Sequence, residues 1–367
     1  MDRWTGRGYT CPTMQPAELT ASLKRILEHT PAFPGDLLVV DLIANPRAGG
    51  FTRRVYTKAR FAELATVEGQ ALAMPARSAP IDVRLHLTER SGHAADIAKG
   101  IIADAKHDGP GSRRILVTAG GDGTALEVAS CLVGLDPEEA AHFALLRLPF
   151  GTGNDGSEGR DLVTALGRFL GPLAFARREA LLITPNPEGG KAPLYSFNIA
   201  SLGLDAYVCE MTNKLKTFFP GDFYKLWVDV ASVFYEMAWP LAPLSAKAYD
   251  AQGRELGAMD GRFLLFAMGV SGHRTYGSNK HILPDDDNVC AVYKMSLANK
   301  LKFKEVVQAG GHRGLDVLRL FSARRIVFDY PEPILLQCDG EVTRLEKSDF
   351  PLVMEVTKPL YNVPEKV

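Results

Sequence analysis

The 367-residue chain is poor in several features that would fix its class at once. No apolar run approaches the roughly 20 residues of a membrane-spanning helix, and the longest clear one is Phe263 to Val270. The N-terminus has no apolar signal-peptide core, so export is not expected. Cysteine is scarce: Cys11, Cys131, Cys209, Cys290 and Cys338 lie far apart, at no metal-ligand spacing. That odd, dispersed set points to reduced thiols in a cytoplasmic compartment. Net charge is nearly absent, with 42 basic against 43 acidic residues, so nothing favours nucleic acid as a partner. These absences agree with a soluble protein long enough for two domains.

Glycine, by contrast, is concentrated where strands are expected to end. Three segments stand out: Asn45-Pro-Arg-Ala-Gly-Gly50, Gly120-Gly-Asp-Gly-Thr124 and Pro149-Phe-Gly-Thr-Gly-Asn-Asp155. Each follows a short apolar run, Leu37 to Ala44, Ile115 to Thr118 and Phe143 to Leu148, of the kind that forms a buried parallel strand. At the carboxyl edge of such a sheet, glycines let backbone N–H groups approach an anion, so the set reads as a polyphosphate cradle. Thr124 can cap the helix expected over Ala125 to Val133. Asp122 is a carboxylate among phosphate-binding glycines; it reads as a Mg²⁺-linked group, as a general base, or as a turn residue bonded to its own backbone. Asn45 supplies an amide donor for phosphate or adenine, or simply starts a turn. Cys338-Asp-Gly-Glu341 reads both as a tight hairpin and as a pair of carboxylates.

In their order and spacing these segments, together with Thr88-Glu-Arg-Ser-Gly-His-Ala94, resemble the successive motifs of the diacylglycerol kinase catalytic-domain family, which includes sphingosine, ceramide and bacterial lipid kinases. The resemblance implies transfer of the ATP γ-phosphate, with Mg²⁺, to a lipid hydroxyl, first of all diacylglycerol giving phosphatidic acid. A sphingoid-base or ceramide kinase, an NAD kinase-like enzyme and a silent lipid-binding protein are the alternatives. By carry-over, Asn45, Thr88, Gly120, Gly121, Asp122, Gly123, Thr124, Gly151, Thr152, Asn154 and Asp155 line the nucleotide site. Asp122 and Asp155 join the metal and phosphate network, and Asp339 and Glu341 face them across a cleft. The proton of the lipid hydroxyl goes to Asp339 by analogy with bacterial members and to Asp122 by analogy with sphingosine kinases; Asp339 is favoured. Asp285 and Asp287, in Pro284-Asp-Asp-Asp-Asn-Val289, match a segment that holds a structural Mg²⁺ in bacterial relatives, although Asn288 stands where they have glycine. Gly156-Ser-Glu-Gly159 also departs from the family pattern.

An α/β fold follows: a parallel-sheet nucleotide-binding domain, then a β-rich sandwich. The expected boundaries are 1–182 with 345–367 for the first domain and 183–344 for the lipid-binding second, the strand Leu352 to Thr357 returning to the first. Helices over Asp205 to Phe219 and Phe223 to Met237 carry many aromatics, flanked by Lys214, Lys216 and Lys225. Phe218 and Phe219 are the expected contacts with a membrane surface that presents the lipid. A homodimer is left open.

Overall fold

The computed structural model describes residues 13–105, 109, 111–151, 154, 156–215, 233–276 and 280–367. The chain divides into two units, Met1–Ala176 with Asn362–Val367, and Arg177–Tyr361.

The first unit is a four-stranded parallel sheet, order β2-β1-β3-β4, built from β1 (Leu37–Ala44), β2 (Ile81–Leu87), β3 (Ser112–Gly120) and β4 (Phe143–Pro149). Its helices are α1 (Pro16–Leu27), α2 (Gly49–Thr52), α3 (Arg54–Leu72), α4 (His93–Ala105), α5 (Asp122–Leu132), α6 (Pro137–Ala140) and α7 (Leu162–Leu166). Alternate residues of β1 sort the two faces. Leu38, Val40, Leu42 and Ala44 share one core with Leu19 and Leu23 of α1, Leu64 and Val67 of α3 and Leu162 of α7. Val39, Asp41 and Ile43 are buried on the opposite face, the side of α4 and α5, which pack on each other. Covered on both faces, β1 needs apolar residues throughout, and its sequence LLVVDLIA has them with one exception. That exception, Asp41, is fully buried and meets a polar partner on each neighbouring strand: His86 Nε2 of β2 at 2.8 Å and Arg114 Nε of β3 at 3.7 Å. A buried carboxylate left without such partners would be strongly destabilising.

The second unit is a sandwich of two six-stranded antiparallel sheets. After β5 (Leu173–Arg178), one sheet takes β6 (Leu181–Thr184), β7 (Leu194–Ser196), β9 (Leu244–Tyr249), β10 (Glu255–Gly261), β16 (Arg325–Asp329) and β19 (Leu352–Val356), in the order β10-β9-β16-β19-β6-β7. The other takes β8 (Ile199–Gly203), β11 (Phe263–Gly269), β14 (Val289–Tyr293), β15 (Leu318–Phe321), β17 (Ile334–Cys338) and β18 (Glu341–Leu345), in the order β15-β14-β11-β8-β17-β18. Between the sheets lie Ile183, Phe328 and Met354 against Leu202, Phe266 and Leu336. The outer face of the second sheet is covered too. Ile199, Leu265, Cys290 and Leu335 pack there with Tyr207 of α8 (Leu204–Leu215) and Tyr235. This double covering explains why β8, β11 and β17 are buried at every position. A short hairpin of β12 (Arg274–Tyr276) and β13 (Lys280–Leu283) lies outside both sheets.

The domain boundaries differ from the sequence reading at the C-terminal end. The strand β19, expected to return to the first unit, pairs instead with β16 and β6 in the second. Its pattern, Leu352, Met354 and Val356 buried with Glu355 exposed, is that of a strand with one face on a sandwich core. Only β20 (Tyr361–Lys366), which pairs with β5, carries residues of the returning segment. Asn362 pins it within the first unit by donating to the carbonyls of Ala140 (2.7 Å) and Phe143 (3.0 Å).

One core group makes the fold pH-sensitive. His312 is fully buried, its Nε2 hydrogen-bonded to the Ile282 carbonyl at 3.1 Å and its Nδ1 without a partner. Burial holds its pKa below the ordinary 6.5, outweighing the opposing pull of the Ile282 carbonyl and Asp285. The folded chain therefore keeps His312 neutral where the unfolded chain takes up a proton, and stability is lost as pH falls below about 6.5. The thermal midpoint should drop between pH about 7 and about 5.5, and His312→Gln should lessen that drop.

Candidate active site

The sheet order itself marks a crevice. From β1 the chain moves to β2 on one side, then crosses to β3 on the other and continues to β4. The connections leaving the carboxyl ends of β1 and β3 thus diverge, and at such a switch point open α/β sheets bind their ligands. The loops at that point are two of the glycine turns, with the third one strand further on.

The three turns pack backbone against backbone. Gly50 N–H donates to the Phe150 carbonyl at 2.9 Å, and a Cβ on Gly50 would stand 2.5 Å from the Phe150 ring. A Cβ on Gly151 would meet Gly121 Cα at 2.9 Å, Asn154 Oδ1 at 3.1 Å and the Gly120 carbonyl at 3.3 Å. One on Gly120 would lie 2.6 Å from Thr124 Oγ1. These glycines are required by crowding, since no side chain fits between the turns. Gly121 is different. An added Cβ there meets nothing within 4 Å, and the residue has ordinary extended backbone, φ −85 and ψ 179. It caps α5, and the unpaired N–H groups and dipole of that helix's first turn favour an anion at this end.

Around this point stand the other residues of the reading. Asn45 Oδ1 accepts from Arg47 N–H at 3.0 Å, which closes the turn and leaves the amide Nδ2 as the donor. Thr88 is buried at the end of β2, its N–H bonded to the Ala44 carbonyl. Asn154 has left-handed backbone, φ 57, and its carbonyl takes the N–H and hydroxyl of Ser157. Asp122 is the first residue of α5, half-buried. Thr124 does not cap the helix: it is the third residue of the first turn, and the cap is Gly121, one turn earlier than the sequence pattern suggested. Thr152 and Asp155 lie outside the described residues.

The second carboxylate pair belongs to the second unit. Asp339 and Gly340 form the two-residue loop between β17 and β18, with φ of 49 and 89, a turn that needs positive φ at both positions. The hairpin reading of this motif therefore holds. The Asp339 side chain is gripped by the chain before β8: Oδ1 accepts from Ser196 Oγ (2.7 Å), Asn198 N (3.0 Å) and Ile199 N (3.1 Å), and Oδ2 from Phe197 N (2.6 Å). Oδ1 is saturated, and Oδ2 keeps a lone pair. Glu341 follows, exposed at the start of β18.

Residues 40–164 match the diacylglycerol kinase catalytic domain. The resemblance read from the motifs is borne out, and the first unit carries a kinase-family domain. A Bacillus subtilis (strain 168) protein named as a candidate lipid kinase, YtlR, is 27% identical over 290 residues, covering 74% of this chain and 88% of its own. Two solved structures from Bacillus anthracis str. Sterne share the fold. One, titled a candidate diacylglycerol kinase, has a TM-score of 0.55 at 17% identity, over 88% of this chain and 96% of that one. Another, titled a diacylglycerol kinase, has a TM-score of 0.51 at 15% identity, over 89% and 96%.

Within this kinase-family domain the structure adds residues that the motifs did not single out. Glu127 of α5 accepts from Gly92 N (2.8 Å) and Ala94 N (3.1 Å), so the helix after the middle glycine turn also caps α4 and holds the Thr88 to Ala94 segment. His93 closes that segment by accepting Glu89 N–H at 3.1 Å. In the Gly156 to Gly159 departure, the Glu158 carboxylate pairs with Arg147 of β4 at 2.7 Å and also accepts the Arg147 N–H. The unusual loop is thus tied to the sheet. Neither Glu127 nor Glu158 gives a local sequence signal, because the partners of each are distant in the chain.

The acidic segment of the second unit is engaged with cations and hydroxyls. Asp285 pairs with Arg313 at 3.2 Å, and Asp287 accepts Ser322 Oγ at 2.8 Å. Among the described residues, no three His, Cys, Asp or Glu side chains cluster as a metal site. Asn288 is not in a left-handed turn, as its place in the motif suggested. Its side chain is buried and ties three points together, donating to the carbonyls of Gly269 (3.1 Å) and Ala323 (3.0 Å) and accepting Ala323 N–H (2.9 Å). Glycine could supply none of these bonds.

Proposed function

We propose that this protein transfers the γ-phosphoryl group of ATP to a lipid hydroxyl, with diacylglycerol the acceptor and phosphatidic acid the product. The observation that carries the reading is the open face over Gly121, at the head of α5 and at the switch point of the sheet. Among the described residues, nothing lies within 4 Å of an added Cβ there, which leaves room for a phosphate. The match of residues 40–164 to a kinase domain and the name of the Bacillus subtilis relative support the rest.

Phosphoryl transfer asks little covalent chemistry of a protein; it asks for positioning and for charge neutralisation. In this reading the N–H groups of the first turn of α5, with the Asn45 amide, hold the phosphates, and Thr88, Gly151, Thr152 and Asn154 shape the loop around them. Asp339 takes the proton of the lipid hydroxyl on Oδ2 as the new O–P bond forms and the bond to the ADP oxygen breaks. Asp122 and Asp155 are the proposed Mg²⁺ residues. The donor set fits that ion, because Mg²⁺ is held by one or two carboxylates, with phosphate and water completing its shell; when bound, it neutralises phosphate charge. The lipid reaches the enzyme at a membrane surface. Phe218 and Phe219, the proposed contacts, lie outside the described residues, and among the described residues no helix is long and apolar enough to cross a membrane.

The test is a panel. Purified protein with γ-labelled ATP and Mg²⁺ is offered diacylglycerol, monoacylglycerol, ceramide and sphingosine in mixed micelles, and NAD in solution. Labelled phosphatidic acid as the main product is the expected result. A labelled sphingolipid would keep the lipid kinase and move the acceptor. Labelled NADP without any lipid product would overturn the lipid reading, and ATP binding without transfer to any acceptor would leave a binding protein.

A further inference from the structure

The Asp339 turn is braced from behind by a buried polar network that its fold does not require. Gln337 lies in β17 directly opposite Ser201 of β8 and is 2% exposed, in a strand whose other members are Ile, Leu, Leu and Cys. Its Oε1 accepts the Gly340 N–H of the turn at 2.8 Å. Its Nε2 donates to Ser201 Oγ (2.9 Å) and to Asp205 Oδ2 (3.1 Å), and Ser201 Oγ donates to the same Asp205 oxygen at 2.6 Å. The orientation of the amide is forced, because a backbone N–H can only donate and a carboxylate can only accept. Ser201 and Asp205 are themselves buried, the latter in the first turn of α8.

Such a network is costly in a core, where a wholly apolar set of similar volume often stabilises at least as well. An Asp-Gly hairpin turn forms readily on its own local preferences, so the turn does not need the network in order to exist. What the network fixes is its attitude. Gly340 N–H is tied to Gln337, one turn residue away from a carboxylate whose other face is gripped by residues 196–199. The turn is thus held from both sides, with Oδ2 aimed in one direction.

We propose that Gln337, anchored by Ser201 and Asp205, is the positioning residue of the candidate base Asp339, and that through Asp205 it couples that base to α8, the start of the segment read as meeting the lipid. The proposal rests on the reading of Asp339 as the proton acceptor. Gln337→Met keeps the length of the side chain and removes every bond that the Gln337 side chain makes, leaving of the network only the bond from Ser201 to Asp205. Its turnover number should fall about ten- to a hundredfold, the scale on which small misplacements of catalytic groups are felt, while KM for ATP stays within about twofold; the thermal midpoint falls as well, because Asp205 and the Gly340 N–H each lose a partner. A second variant, Ser201→Ala, removes one link only and should lower turnover in the same direction by about threefold to tenfold.

Asp339→Asn and the double variant separate the two levels of the argument. Because Gln337 acts through Asp339, adding Gln337→Met to Asp339→Asn should cost no further activity. If Asp339→Asn is inactive while Gln337→Met and Ser201→Ala turn over like the wild type, the positioning role is wrong and the base reading stands. A double variant that loses the product of the two single effects would also overturn the positioning role. If Asp339→Asn itself retains wild-type turnover, the base reading fails and takes the proposal with it.

Discussion

Gly121→Val leaves the protein folded and abolishes nucleotide binding. The first half follows from space and backbone: an added Cβ touches no protein atom within 4 Å, and the residue's φ of −85 suits any amino acid. Valine is a poor helix cap, which costs about 1 kcal/mol, against a domain stability of roughly 5–15 kcal/mol. The second half follows from what the open face is for. Two methyl groups above the first turn of α5 would hold a phosphate away from the N–H groups that are to bind it, and those contacts are lost together. Circular dichroism and a fluorescent ATP analogue measure the two halves. Gly151→Ala supplies the contrast, because its single methyl would lie 2.9 Å from Gly121 Cα and 3.3 Å from the Gly120 carbonyl, with no flexible side chain to yield. That variant should lose thermal stability with or without nucleotide. A folded Gly121→Val protein that binds ATP as the wild type does would remove the cradle from this edge of the sheet.

The difference between those two glycines shows what sequence can and cannot convey. Three glycine turns after three apolar runs were legible because parallel strands buried on both faces leave long apolar stretches, and because crowding between turns tolerates no side chain. The same sequence does not say which glycine is there for the protein and which for a ligand. Gly120 and Gly151 serve packing, while Gly121 has an unstrained backbone and, among the described residues, nothing within 4 Å of an added Cβ. The edge strand β2 escaped notice for a related reason. With Asp82, Arg84 and His86 between its apolar residues, it is half-exposed and alternates, and Ile81, Val83 and Leu85 are only partly buried where they pack on the core.

Polar residues with distant partners were the least legible. Asn288 looked like a substitute for a turn glycine and is a buried tether between Gly269 and Ala323. Asp285 and Asp287 looked like cation ligands and are engaged by Arg313 and Ser322. Asp339 was picked out by the turn chemistry of Asp-Gly, but its four hydrogen-bond donors come from residues some 140 positions earlier, which no local pattern records. Hydrogen bonds across a sandwich depend on register, and register is set by the whole sheet.

Asp339→Asn should be the most damaging conservative change in the second unit. The amide keeps the volume but removes the charge and the lone pair of Oδ2, so turnover falls by about two or more orders of magnitude if this group accepts the hydroxyl proton. Half of the new side chain would be an NH2 facing N–H or O–H donors, and at least one of the four bonds that grip Asp339 must be given up. A lowered thermal midpoint therefore accompanies the loss and has to be separated from it, which Asp339→Glu helps to do: it retains the carboxylate but not its reach. Asp339→Glu should recover part of the stability and little of the rate. ATP affinity should change by less than about twofold in either variant, since the proposed nucleotide site belongs to the first unit. Asp122→Asn should behave differently, shifting the Mg²⁺ concentration needed for half-maximal rate as well as the rate itself. Steady-state kinetics at varied Mg²⁺ compares them. Near wild-type turnover in Asp339→Asn, beside an inert Asp122→Asn that still binds ATP and Mg²⁺ normally, would place the base on Asp122 at the head of α5.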